Sequence, residues 1–216
     1  MKGKVLGLVS LALLGCSTLM AAPQKQDSSE QLIAALHKID TFKANFVQKI
    51  HDANGEHVAK SQGEIMVRRP GKFYWKSQSP DPILVVADGK FLWTYDIDLS
   101  QVTKQKLKEA LGSSPAALLA GSLDGLKSDF EISTASKNQC KKSDECYLLK
   151  PKQKDSTFAD IQIGFAQGKL SEVRMRDPLG QDVYTVFTKV QINSGIQDKL
   201  FAFVPPKGVD IIQSGS

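Results

Sequence analysis

The sequence QGEIMVRRPGKFYWKSQSPDPILVVADGKFLWTY, residues 62–95, decides the fold because apolar and polar residues alternate along it between short turns. The turns are Arg-Pro-Gly-Lys at 69–72 and Asp-Gly-Lys at 88–90. Alternation of period two between such turns predicts three or four antiparallel strands in the middle of a sheet. Two arginines lie at the first turn, and large aromatic residues crowd onto the strands that follow it: Phe73, Trp75, Phe91 and Trp93.

The composition fits one globular domain. The chain has 216 residues, of which 41% are hydrophobic and 24% are charged. The net charge of +5 is spread along the sequence, without the run of Lys and Arg interleaved with aromatic residues that is typical of a nucleic-acid groove. We therefore expect no nucleic-acid partner. We also expect a monomer.

The first residues predict an export signal. Residues 1–4 are basic, residues 5–14 form an apolar run too short to span a bilayer, and small residues follow at Ala21 and Ala22. Cleavage after Ala21 would leave residues 22–216 as a single exported domain. Leu-Leu-Gly-Cys at 13–16 offers the alternative of a lipoprotein lipidated at Cys16, although Leu14 is larger than the residue usual at that position.

The other two cysteines, Cys140 and Cys146, form an even pair in a chain that is predicted to be exported. An oxidising compartment favours a disulfide between them. The polar residues 141–145 that separate them suit the end of a hairpin.

The remaining elements follow from capping and periodicity. Ser28 and Gln31 have the spacing of a capping box before a helix, and residues 42–50 alternate as a strand that the Asn-Gly turn at 54–55 returns. Helices are predicted at about 100–111 and from Ser114 to Ala120, either as core or as a cover over the sheet. Beyond residue 130, short strands and turns predict an antiparallel meander.

Two kinds of chemistry receive little support. The hairpin tip carries His51, Asp52, Glu56 and His57, and centring the turn on 54–55 places Asp52 opposite His57, but an exposed tip is usually polar for solubility, so we expect no metal site. The sequence has no phosphate-binding glycine loop and no nucleophile elbow. We expect neither an enzyme nor a cofactor, and the missing nucleophile motif is the chief objection to an exported hydrolase.

Several motifs together resemble the LolA family of periplasmic carriers of outer-membrane lipoproteins. They are FKANFVQK at 42–49, QGEIMVRRPGKFYW at 62–75, ILVVADGKFLWTYD at 83–96, the Ser-Ser-Pro helix start at 113–115 and PPKGV at 205–209. The resemblance implies an α+β fold, an open antiparallel β half-barrel covered by a lid of short α-helices. It also implies a carrier that takes lipoproteins from the inner-membrane ABC transporter LolCDE and delivers them to the acceptor LolB. The main alternative is an anchored acceptor similar to LolB, lipidated at Cys16.

The resemblance also assigns roles to residues. Arg69, which precedes the proline, matches an arginine that tethers the lid through backbone carbonyls. Without the resemblance, Arg68 and Arg69 would be expected to form surface salt bridges, and the aromatic residues to be plain core. The expected cavity for acyl chains comprises Phe46, Ile65, Phe73, Trp75, Leu84, Phe91, Trp93, Leu118 and Leu119.

Overall fold

The computed structural model describes residues 27–110, 119–121, 123, 125–136 and 138–214. The predicted export signal, Cys16, the helix start at Ser114 and the cavity residue Leu118 lie outside these residues. None of the helices in the described ranges is long and apolar enough to cross a membrane.

Two antiparallel meanders build the sheet. The first contains β1 Thr41–His51, β2 His57–Arg68, β3 Lys72–Ser79, β4 Ile83–Asp88, β5 Phe91–Asp96 and β6 Gln101–Lys106. The second contains β7 Phe130–Thr134, β8 Glu145–Pro151, β9 Asp160–Ala166, β10 Lys169–Arg176 and β11 Asp182–Ile192. β11 pairs with β1, which joins the two meanders. The stretch 62–95 thus contributes to four strands, as its alternation predicts.

One further strand, β12 Asp210–Ser214, pairs in parallel with β6. The sheet order is β12-β6-β5-β4-β3-β2-β1-β11-β10-β9-β8-β7. The prediction of an antiparallel sheet is therefore correct except at this edge. No strand was predicted at β12, which follows the prolines at 205–206 and lies beyond the last turn signal used to place strands.

Few helices accompany the sheet in the described part of the chain. They are α1 Ser28–His37, α2 Leu107–Ala110, α3 Leu126–Asp129 and a 3₁₀ helix at Asp198–Phe201. Residues 119–120, at the end of the helix predicted from Ser114, are also helical. The cap of α1 is Asp27, whose carboxylate accepts from Ser29 N at 3.1 Å, so the predicted capping box at Ser28 is wrong by one residue. Leu32 and Leu36 of α1 are buried in the main core with Phe42 of β1.

The helix predicted at 100–111 is mostly wrong, because residues 101–106 form β6. Val102 is fully buried and lies opposite Tyr95 of β5. The apolar spacing in this stretch fitted a helix, but pairing with β5 overrides that local preference. Among the described residues of this stretch only Leu107 to Ala110 are helical, and residue 111 lies outside the described part of the chain.

The hairpin between β1 and β2 turns where the Asn-Gly pair predicts, and Gly55 has a φ of 83°. The predicted register at its tip is wrong. A bulge after Ile50 places His51 opposite His57, with 5.8 Å between the ring centroids. Asp52 instead holds the turn, since its Oδ1 accepts from the backbone N–H groups of Asn54 and Glu56.

Candidate functional site

A cavity of about 390 Å³ lies against one face of the sheet. Its lining is mostly apolar, with polar side chains at a few positions. Strands from both meanders contribute to it, namely β1 to β5, β10 and β11, and so does the segment at residue 119. The volume falls within the range of small-molecule sites in proteins, toward its lower end.

Aromatic rings form one wall of the cavity. Phe46, which is buried, stacks on Trp75 with 3.6 Å between ring centroids, and Phe73 lies 6.4 Å from Trp75. Gly63 makes this wall possible, because a Cβ at that position would meet Lys76 O at 1.8 Å and the Phe46 ring at 3.0 Å. A side chain at Gly63 would therefore force β2 away from β3 at the point where the rings stack.

Arg69 connects the sheet to two other segments, one of which contains the cavity-lining residue Leu119. Its Nε donates to Leu119 O at 2.9 Å, and its Nη1 donates to Leu36 O at 2.8 Å. A backbone hydrogen bond to the same segment runs from Gly71 N to Ala120 O at 2.8 Å. Burial lowers the pKa of Arg69, partly offset by the nearby Asp40 carboxylate, yet the guanidinium remains charged at any physiological pH. One cation thus ties strand β2 to both α1 and the 119–120 segment.

The neighbouring Arg68 has a different set of contacts. Its guanidinium forms an ion pair with Asp198 and lies 5.2 Å from the centroid of the Phe201 ring. Its Nη1 also contacts Ile196 O at 3.4 Å. Arg68 therefore holds the C-terminal segment, and of the two arginines only Arg69 reaches the 119–120 segment.

The predicted cavity residues divide into three groups. Ile65, Phe73, Trp75 and Leu119 line the cavity, and Phe46 supports it through the stack on Trp75. Leu118 lies outside the described residues. Leu84, Phe91 and Trp93 do not line it, so their assignment to the cavity is wrong.

Strand alternation explains the error. Ile83, Val85 and Thr94 line the cavity, so the residues next to them in β4 and β5 point to the other face. On that face the Trp93 ring lies 5.5 Å from Phe203, and Lys104 Nζ lies 4.0 Å above the ring of Phe91. The C-terminal segment around Phe203 covers this second face. The second face therefore also carries large apolar residues.

Sequence reasoning missed the contribution of the second meander. Val173 and Met175 of β10 and Thr185 and Phe187 of β11 line the cavity, as does Gln48 of β1. Both strands were predicted, but no motif pointed to ligand contact. The usable signal was the alternation of apolar residues along β10, which places 173 and 175 on one face.

The predicted disulfide between Cys140 and Cys146 is present. The loop that it closes lies over a buried carboxylate on the outer face of β10. Glu172, which is 1% exposed, accepts from Lys142 N at 2.8 Å, from Ser143 Oγ at 2.7 Å and from Tyr184 Oη at 2.5 Å. Burial and the bond to Glu172 raise the pKa of Tyr184. The disulfide thus fixes a loop that satisfies a charge inside the protein.

Comparison with known proteins identifies the family. Residues 37–204 match the family described as "Outer membrane lipoprotein carrier protein LolA". The chain belongs to the LolA family. It is 35% identical over 210 residues to the outer-membrane lipoprotein carrier protein of Hahella chejuensis, covering 97% of this chain and 98% of that one. It is 38% identical over 196 residues to the protein of the same name from Nitrosomonas europaea, covering 90% and 93% of the two chains.

A solved structure shares the fold at low sequence identity. It is an uncharacterized conserved protein from Thermus thermophilus, 9% identical, with a TM-score of 0.53 over 87% of this chain and 99% of that one. At that identity the likeness concerns the fold alone. It agrees with the open sheet and few helices described above.

Proposed function

We propose that the protein is a non-enzymatic periplasmic carrier that binds the acyl chains of lipoproteins in the cavity beside Trp75. The observation that carries the proposal is an apolar cavity, one of whose lining residues, Leu119, is tethered to the sheet by the cation of Arg69. Family membership supports it, since the relatives named above are lipoprotein carriers. The route runs from the ABC transporter LolCDE in the inner membrane to the acceptor LolB, without a cofactor.

The proposal includes a half-barrel with a lid. In the sheet order, six strand spacings separate β5 from β10, which is about 29 Å in a flat sheet. Both strands nevertheless line one cavity of about 390 Å³. This favours a sheet that curves around the cavity. The lid comprises the 119–120 segment and α1, both of which Arg69 contacts.

The energetics favour a lid that opens. An acyl chain of roughly fifteen methylenes, at about 0.8 kcal/mol each, represents about 12 kcal/mol of hydrophobic free energy. The cavity is small for a cargo with several such chains, so loading requires the lid to move. Opening breaks the bonds of Arg69, and bound cargo offsets that cost, which lets one protein both accept and release lipid.

The proposed carrier requires removal of the export signal. Removal of residues 1–21 would release the single domain 22–216 as a diffusible monomer. The alternative, an anchored acceptor similar to LolB, requires lipid on Cys16. The intact mass of the protein isolated from its own cell envelope separates the two. A mass starting at Ala22, less two hydrogens for the disulfide, supports the carrier, whereas a lipid-modified Cys16 overturns it.

A reconstituted transfer assay tests the function. Vesicles that contain LolCDE and a triacylated lipoprotein are given ATP and the mature protein, and the lipoprotein in the supernatant is measured before and after adding liposomes that carry LolB. We expect a soluble complex that LolB unloads. Arg69→Leu should load but release poorly, and Arg68→Leu is the matched control. Absence of lipoprotein from the supernatant with the wild-type protein would exclude the carrier role.

A further inference from the structure

Three polar side chains form a row across the floor of the apolar cavity. Strand register places Gln48 of β1 directly opposite Ser61 of β2 on one side and Thr185 of β11 on the other. All three side chains line the cavity. The row is continuous across three adjacent strands and lies at one level along them.

Apolar residues lie on both sides of this polar row. Two residues away in one direction, Phe46 is opposite Phe187, and two residues away in the other, Ile50 is opposite Ala59. Each step is about 7 Å along the strand. A chain that runs along these strands past Phe187 toward Ile50 therefore crosses the polar row between two apolar levels. The cavity has other polar lining residues at Lys60, Ser77, Asp81 and Thr94.

The row offers hydrogen-bond donors and no charge. Gln48 Nε2 donates to Thr185 Oγ1 at 3.2 Å, which uses one of the two N–H groups of the amide. Within the described ranges, neither the second N–H nor the hydroxyl hydrogens of Thr185 and Ser61 have an acceptor. Thr185 is 5% exposed, so a ligand oxygen that reached these donors would be largely shielded from water. A neutral acceptor fits the row better than an anion, because none of its three side chains carries a charge that would offset the cost of burying one.

We propose that the row Ser61–Gln48–Thr185 binds the carbonyl oxygen of the ester or amide that links an acyl chain to its headgroup. The row would then fix how deep the chain enters and would favour acyl lipids over alkyl lipids of the same length. This inference rests on the proposed lipid-binding function. The inference adds that polar residues select the type of linkage, because burial of the apolar chain alone would not distinguish an ester from an ether.

A matched pair of lipids isolates the carbonyl. The probes are 1-monolauroylglycerol, which has an ester carbonyl, and 1-O-dodecylglycerol, an ether that lacks it. Binding is followed by the fluorescence of Trp75, which lines the cavity, in a Trp93→Phe background because Trp93 lies on the other face of the sheet. The test variants are Thr185→Val and Gln48→Met, alone and combined. The control is Gln62→Met, at an exposed position next to the row on the opposite face.

We expect the ester to bind the parent protein about tenfold more tightly than the ether, equivalent to about 1.4 kcal/mol. The two variants together should remove this preference while the affinity for the ether stays within about twofold. Gln62→Met should retain it. Circular dichroism checks that each variant is folded, and Thr185→Val, which is isosteric, serves alone if the double variant is not.

Two results would overturn the inference, and they differ. If both lipids bind and the ratio of their affinities is the same in the parent and the variants, the row has only the structural role of connecting β1 to β11. The proposed lipid-binding function is then unaffected. If neither lipid changes the fluorescence of Trp75, the proposed lipid-binding function fails, and the inference fails with it.

Discussion

Replacing Arg69 by leucine should open the proposed lid without unfolding the protein. The side chain makes two charge-assisted hydrogen bonds, to Leu119 O and Leu36 O. Such bonds contribute about 1.5–3 kcal/mol each. Because Arg69 is only partly buried, we take the low value for each bond, about 3 kcal/mol in total. The equilibrium should therefore shift toward the open state by about a hundredfold.

The amide of Gly71 reports on this shift. It donates to Ala120 O at 2.8 Å, so it is protected from exchange only while the 119–120 segment is in place. We expect Arg69→Leu to accelerate hydrogen exchange at Gly71 by about a hundredfold, as measured by NMR. Acrylamide should also quench Trp75 more strongly, since Trp75 lines the cavity with Leu119.

Arg68→Leu provides the comparison. It removes the same charge one residue earlier, but its contacts are to Asp198 and Phe201 on the other side of the sheet. We expect exchange at Gly71 to stay near the wild-type rate in this variant. Equal exchange rates in the two variants, with urea midpoints showing both to be folded, would refute the reasoning that Arg69 holds the lid.

Three further predictions concern stability. Gly63→Ala should destabilise the protein by about 3 kcal/mol in urea unfolding, because the new Cβ overlaps Lys76 O, and an unchanged midpoint would contradict the close approach of β2 and β3. Burial raises the pKa of Asp88, but N–H donors at residues 90, 91 and 93 lower it below 3.8 overall. The ionised carboxylate therefore stabilises the folded protein above about pH 4, and this contribution is lost as the pH falls further. Asp88→Asn should reduce the loss of stability between pH 5 and pH 2, as measured by urea unfolding. Replacing Cys140 and Cys146 by serine should cost about 2 kcal/mol from loop entropy, and identical unfolding of the oxidised and reduced wild-type protein would contradict this.

The sheet could be predicted from sequence because its turns are chemically distinctive. Asn-Gly at 54–55 and Asp-Gly at 88–89 fix where strands reverse, and alternation between them fixes which residues share a face. The segment 101–106 could not be placed in this way. Its apolar residues fit a helix as well as a strand, and only the partner strand β5 decides between them.

The site was predictable on one side only. Motifs near Arg69 identified the aromatic wall, but the opposite wall comes from β10 and β11, which lack motifs. The error at Trp93 has a related cause. A sheet covered on both faces has large apolar residues on both faces. The sequence therefore does not show which of them point into the cavity unless one lining residue in each strand is already known.

The pairing of β1 with β11 has a consequence for how the protein is made. Residue 51 lies opposite residue 182, so the two meanders meet only after nearly the whole chain is available, and such distant pairings form slowly. Phe73 lies on one side of that seam and Met175 on the other. A chain in which only the first meander has been synthesised therefore exposes the apolar residues of its side of the seam and has no complete cavity. The complete cavity therefore forms only when the second meander joins the first, and until then the exposed apolar surface favours aggregation.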